Sequence, residues 1–135
     1  MSFVLLGILN SQTAGAAGIA YRLQTLGGAS NEDGEAVGID SANNIYTLGD
    51  TRSTGSGAQF LLVKYDSSGI IQWERTLGGS IGDFAFSLAF DSADNIYAFG
   101  ETGNAGAGQN DFLLAKYNSS GTIQWQRVLG GSGEE

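Results

Sequence analysis

Any chemistry in this chain has to come from its acids. Histidine and cysteine are both absent, which removes the commonest general base, the commonest zinc ligand and any thiolate nucleophile. What remains is a set of 14 Asp and Glu residues, and two arrangements of them recur. Asp40-Ser41-Ala42-Asn43-Asn44 returns as Asp91-Ser92-Ala93-Asp94-Asn95, a run of oxygen-bearing side chains that suggests a calcium loop. A calcium site wants about six to eight oxygens, however, and these runs lack the closing bidentate Glu and the glycine at the bend. They are expected to be turns. Glu32, Asp83 and Glu135 each follow a Gly-Gly pair, and such acids would serve general acid–base chemistry only if two of them converged in a pocket. The expectation is a solvated loop rim, with no catalytic residue, no metal and no cofactor.

The elements that must position these acids are written twice. Leu26-Gly27-Gly28 returns as Leu77-Gly78-Gly79 and Leu129-Gly130-Gly131, and Phe60-Leu61-Leu62-Val63-Lys64-Tyr65 returns as Phe112-Leu113-Leu114-Ala115-Lys116-Tyr117, a period of 51 to 52 residues. Self-similarity at that spacing marks units that bury their faces on their neighbours. Alternating apolar residues and turn signals predict four strands per repeat: 35–40 and 85–91, 45–51 and 96–102, 60–66 and 112–118, 70–77 and 122–129. Asn43-Asn44 and Asp94-Asn95 tolerate positive φ and are expected in tight turns. The loops 53–58 and 103–109 carry the one-residue change in period. The fold class expected is all-β, with four-stranded antiparallel repeats of the size of a β-propeller blade: residues 19–26 an extra N-terminal outer strand, 27–77 one blade, 78–129 a second, and 130–135 the start of the next repeat. Two blades cannot close a ring, so a longer propeller or several copies sharing one is expected.

Tyr46, Trp73, Tyr97 and Trp125 recur at equivalent places and are expected to pack between blades rather than to stack on sugars or bases. Lys64 and Lys116 recur beside Tyr, where the stem lies on apolar surface and the ammonium meets a carboxylate. With 22 glycines, no proline and 41% hydrophobic residues, the chain has the turns and the core of a globular β protein. A net charge of −8 with six Lys and Arg argues against a nucleic-acid partner.

Taken together, the Gly-Gly pair, the Asp-x-x-x-Asn turn before Ile-Tyr, the Phe-Leu-x-x-Lys strand and the Ser-Gly turn before the Trp strand resemble the SBBP-type β-propeller repeat of large extracellular bacterial proteins. The resemblance covers residues 20–135 and brings no catalytic residues with it. Residues 1–18 read differently. Phe3, Val4, Leu5, Leu6, Ile8 and Leu9 form an apolar run too short to span a membrane. Three fates are weighed for it: a signal peptide, a strand or short helix packed on its own domain, and, first in rank, a segment that docks on a protein partner with the Ala/Gly stretch as connector. The opening residues 2–12 resemble the start of small virion structural proteins of marine tailed bacteriophages. The function expected is therefore a non-enzymatic structural protein of a virion, docked by its N-terminus with the propeller displayed outward, as a homo-oligomer or within a larger assembly. A secreted or cell-surface, lectin-like propeller is the alternative, and a propeller hydrolase has no positive sign.

Overall fold

A computed structural model describes residues 7–14, 19–25, 30–52, 57–78, 82–103 and 110–130, the first two stretches by backbone alone. Phe3, Val4, Leu5 and Leu6, and the acid Glu135, lie outside the described residues. Ten strands run β1 (Gly7–Ala14), β2 (Ile19–Thr25), β3 (Glu32–Ile39), β4 (Ile45–Thr51), β5 (Gln59–Tyr65), β6 (Ile71–Leu77), β7 (Asp83–Phe90), β8 (Ile96–Thr102), β9 (Asp111–Tyr117) and β10 (Ile123–Leu129). They form two four-stranded antiparallel meanders, β3-β4-β5-β6 and β7-β8-β9-β10, and a two-stranded sheet, β1-β2. No helix occurs among the described residues, and so none is long and apolar enough to cross a membrane.

The N-terminal residues Ile8 and Leu9 stand on β1, paired with Gln24 and Leu23 of β2 across a register shift that follows Leu9. The segment 19–25 thus pairs with the strand that precedes it in the chain.

Each sheet is bent at the same two points. The β3–β4 register shifts between Gly34 and Ala36, as β7–β8 does between Ala85 and Ser87; β5–β6 shifts between Lys64 and Tyr65, and the β10–β9 pair between Ile123 and Trp125. The first pair of bulges explains why β3 and β7 begin three and two residues earlier than alternation alone predicts: the extra residues Glu35 and Phe86 break the period-two pattern that would have shown Glu32–Gly34 and Asp83–Phe84 as strand.

The hairpin turns are four copies of one structure. Asp40, Asp66, Asp91 and Asn118 each accept a backbone bond at 2.9–3.0 Å from the residue three further on and donate one at 2.8–3.1 Å to the residue four further on. The third loop residue is left-handed in every copy: Asn43 at φ 63°, Gly69 at 82°, Asp94 at 58° and Gly121 at 78°. This is the three-residue hairpin loop that ends in an αL residue, and Asn and Asp fill that position as well as glycine because their short polar side chains tolerate it.

The two large sheets lie face to face. Tyr46, Leu48, Phe60 and Leu62 of the first meet Ala85, Ile96, Ala98, Leu113, Ala115 and Tyr117 of the second in one buried cluster. Strand β7 is the element of the second sheet that lies on β3, β4 and β5.

Candidate interaction surfaces

Asp40 shows what the recurring acids do. Its Oδ1 accepts the N–H groups of Ala42 and Asn44, both at 2.9 Å, and its Oδ2 accepts Asn44 Nδ2 and the Tyr46 hydroxyl, also at 2.9 Å. Asp91 repeats the set with Ala93, Asn95 and Tyr97 at 2.9–3.1 Å. A carboxylate so engaged has its lone pairs committed to its own turn. The pKa of Asp91 is held down to about 2, first by the Asn95 amide and against a desolvation that works the other way. At Asp40 burial pushes upward, but the bonds from Asn44, Tyr46 and Ala42 outweigh it and the net direction is down. Burial, and then Asp40, push the Tyr46 hydroxyl well above its ordinary value. Among the described residues no group of three acids stands together as a metal cage.

The lysines close the same units. Lys64 Nζ lies 3.9 Å from Asp40 Oδ2 and 5.4 Å from the Tyr46 ring centre, and Lys116 lies 3.8 Å from Asp91 Oδ2 and 5.2 Å from the Tyr97 ring centre. Each Asp–Tyr–Lys trio ties a turn to the third strand of its sheet.

The aromatic residues form edge-on pairs within each sheet: Tyr46 with Trp73 at 5.9 Å and Tyr97 with Trp125 at 6.2 Å between ring centres. Their surroundings differ. Tyr46 also meets Phe90 of the second sheet at 4.9 Å, and Trp73 packs on Gly121, where an added Cβ would come within 2.8 Å of the indole. Tyr97 and Trp125 stand on the opposite face of the second sheet, since Ile96 and Ala98 beside Tyr97 point into the core.

One expectation about the acids is overturned. Asp83 is no solvated rim residue: it is 1% exposed. Its N–H donates to the carbonyl of Ala58, just before β5, at 2.8 Å, and its carboxylate lies so close to Gly78 that a Cβ there would be 2.4 Å from Oδ2. The bond to Ala58 draws the start of β7 into the junction between sheets and takes the side chain out of water. Glu32, its counterpart in the first sheet, stays half-buried and accepts the Thr51 hydroxyl at 3.1 Å.

Sequence reasoning missed the contacts that join the sheets. Asp50 is buried and accepts the Ala85 N–H at 2.7 Å; burial raises its pKa, partly countered by that bond. Arg75 stacks 5.2 Å from the Trp73 ring centre and donates Nε to the Gly121 carbonyl at 2.8 Å. Ser41 donates N–H to Asp94 Oδ1 at 3.0 Å, and Lys64 donates to the Ser119 carbonyl at 3.3 Å. A signal existed for one of them: Arg75 and Arg127 stand two residues after Trp in both repeats. The polar groups of this junction bond across the two sheets around an apolar centre.

Compared with protein-family models and with curated proteins, the sequence matches no family model and no curated protein significantly.

Proposed function

We propose that this chain is a non-enzymatic structural and interaction protein, built of propeller-type blades 27–77 and 78–129 and seated on a protein partner through Phe3, Val4, Leu5, Leu6, Ile8 and Leu9. The observation that carries the scaffold reading is the commitment of Asp40 and Asp91 to their own turns, with Tyr and Lys fixed around them: the recurring polar residues of the repeat hold its shape. The sheets supply the second support, because four antiparallel strands per repeat, packed face to face, are what a blade is. The virion setting rests on the opening residues, whose resemblance to phage structural proteins is the feature of the chain that points to a biological context. The apolar side chains of that segment, if buried on a partner at about 25 cal/mol per Å², contribute several kcal/mol to docking.

The test is the double substitution Leu5→Ser with Leu6→Ser in the full-length, epitope-tagged chain. The expected result is an unchanged β spectrum by circular dichroism and loss of the chain from purified particles. Retention of the double variant in particles at the level of the unaltered chain overturns the docking role, and cleavage of the segment from the native protein, read by intact mass, would favour the secreted binding module.

A further inference from the structure

Each large sheet has a face turned away from the other, and each of those faces repeats a face that is buried between them. The first sheet buries Tyr46, Leu48, Phe60 and Leu62 on the second; the second sheet carries Tyr97, Phe99, Phe112 and Leu114 at the same places, none of them buried. In the other direction, the second sheet presents Leu88 and Phe90 to the first, and the first carries Val37 and Ile39 there, 71% and 61% exposed. The outer face of the second sheet is thus a copy of one half of the internal interface, and the outer face of the first sheet, exposed at Val37 and Ile39 though closed at Val63, which is 1% exposed, is a copy of the other half.

The details of fit follow the same correspondence. Phe60 reaches across the sheets to Gly100, where a Cβ would come within 2.6 Å of its ring. The corresponding seat is Gly49, where the three atoms nearest such a Cβ are backbone atoms of Asp33 and Gly34; it lines a cavity of about 260 Å³ on the first sheet, together with Thr47, Leu61, Val63 and Tyr65. The residue that corresponds to Phe60 is Phe112, 38% exposed. Trp73 fills the space at Gly121, while nothing lies within 4 Å of a Cβ built on Gly69, the seat that corresponds for Trp125. Arg127 stacks 5.5 Å from the Trp125 ring centre and bonds the preceding carbonyl at 2.8 Å, as Arg75 does at 2.7 Å. It is set to donate to the Gly69 carbonyl as Arg75 donates to Gly121.

We propose that the free face of the second sheet docks on the free face of the first sheet of another copy of this chain, reproducing the internal sheet-to-sheet interface, with Phe112 seated over Gly49 and Trp125 over Gly69. Such contacts are head-to-tail, so they close into a ring or run on as a filament. A ring of four-stranded sheets typically holds about four to eight of them, which corresponds to two to four copies where each contributes its two large sheets. The net charge of −8 per copy opposes association, and added salt strengthens it by screening.

The test uses the full chain in solution, without any other protein, so its outcome is independent of the N-terminal docking role. Sedimentation velocity is expected to show a discrete, concentration-dependent assembly of two to four copies. Phe112→Glu disables one face and Val37→Glu the other, and each variant alone is expected to be monomeric with an unchanged circular dichroism spectrum. Mixed together they retain one good face each and are expected to form a one-to-one dimer and nothing larger, a result that a two-fold symmetric contact through either face alone does not give. Arg127→Glu on the exposed rim replaces Phe112→Glu in the same experiment if the latter fails to fold. A chain that is monomeric at every concentration and salt tested overturns the proposal, as does a variant that assembles like the unaltered chain or a mixture that stays monomeric.

Discussion

The two large sheets are nearly the same sentence in sequence and opposites in burial. The first hides Tyr46 and Phe60, at 0% and 1% exposure, while the second leaves Phe112, the counterpart of Phe60, 38% exposed; on the reverse faces Ile96 is at 0% while its counterpart Ile45 is only half-buried, and Ile39, the counterpart of the half-buried Phe90, is at 61%. Position in the repeat therefore fixes which strand a residue occupies, and position in the stack fixes whether it is core. The same aromatic pair and the same Asp–Tyr–Lys trio form in both sheets, so these are properties of a single repeat. The bonds from Arg75, Lys64 and Ser41 to the second sheet are properties of a neighbour being present.

The largest break in this symmetry is expected from matched truncations. Phe60→Ala removes a buried ring and should destabilise the chain by about 3–5 kcal/mol, whereas Phe112→Ala in dilute solution should cost about 1 kcal/mol or less. Urea unfolding of the two variants checks this, and equal costs would mean that burial is not what separates the sheets. A smaller contrast comes from the turns. Gly69→Ala and Gly121→Ala both place a side chain at positive φ, a shared cost of about 1–2 kcal/mol. Only the second drives a methyl into Trp73, adding about 1–3 kcal/mol of overpacking. Thermal unfolding of both variants isolates the cross-sheet contact as the difference.

Acid should sharpen the comparison further. The lowered pKa values of Asp40 and of Asp91, the latter about 2, give stability that is complete above the ordinary carboxylate value of about 3.9 and is lost as pH falls toward about 2. Asp50 has the opposite sign. Burial raises its pKa, so the stability linked to its protonated form is present below about 3.9 and is lost as pH rises through the raised value. Asp50→Asn keeps an oxygen for the Ala85 N–H, and it should remove that slope while leaving the acid-side loss from Asp40 and Asp91 intact, as unfolding midpoints across the acidic range will show. The smallest effect expected is the lysine pair: Lys116→Ala should cost about 0.2–1 kcal/mol as a surface ion pair, and Lys64→Ala a few tenths more for its bond to Ser119.

Much of this was readable from sequence at the level of the repeat. Six of the eight strands of the large sheets fall within one residue of where alternation put them, and the positive φ at Asn43 and Asp94 follows from the residue types. The starts of β3 and β7 were hidden by bulges at Glu35 and Phe86, because an extra residue inverts the pattern on which the reading depends. Asp83 was misread for a different reason: it is bonded to Ala58, just before β5 of the other sheet, and no local signal carries that. The asymmetry between Phe60 and Phe112 was illegible in principle, since equal residues at equal places differ only in what lies across from them.

The four matching hairpin turns also bear on how the chain folds. Each closes its backbone bonds within five residues and caps itself with its own Asp or Asn side chain. Loop closure that short carries little entropic penalty, and hairpins of this kind form on a timescale of about microseconds. The slow step is then the meeting of two preformed meanders through the Gly-rich connection after β6, and the folding rate should respond to changes at Ala58 and Asp83 more than to changes in any turn. A unit that assembles from local pieces in this way is also one that a gene can duplicate, since an added repeat brings its own turns and asks nothing of the others except a face to lie against.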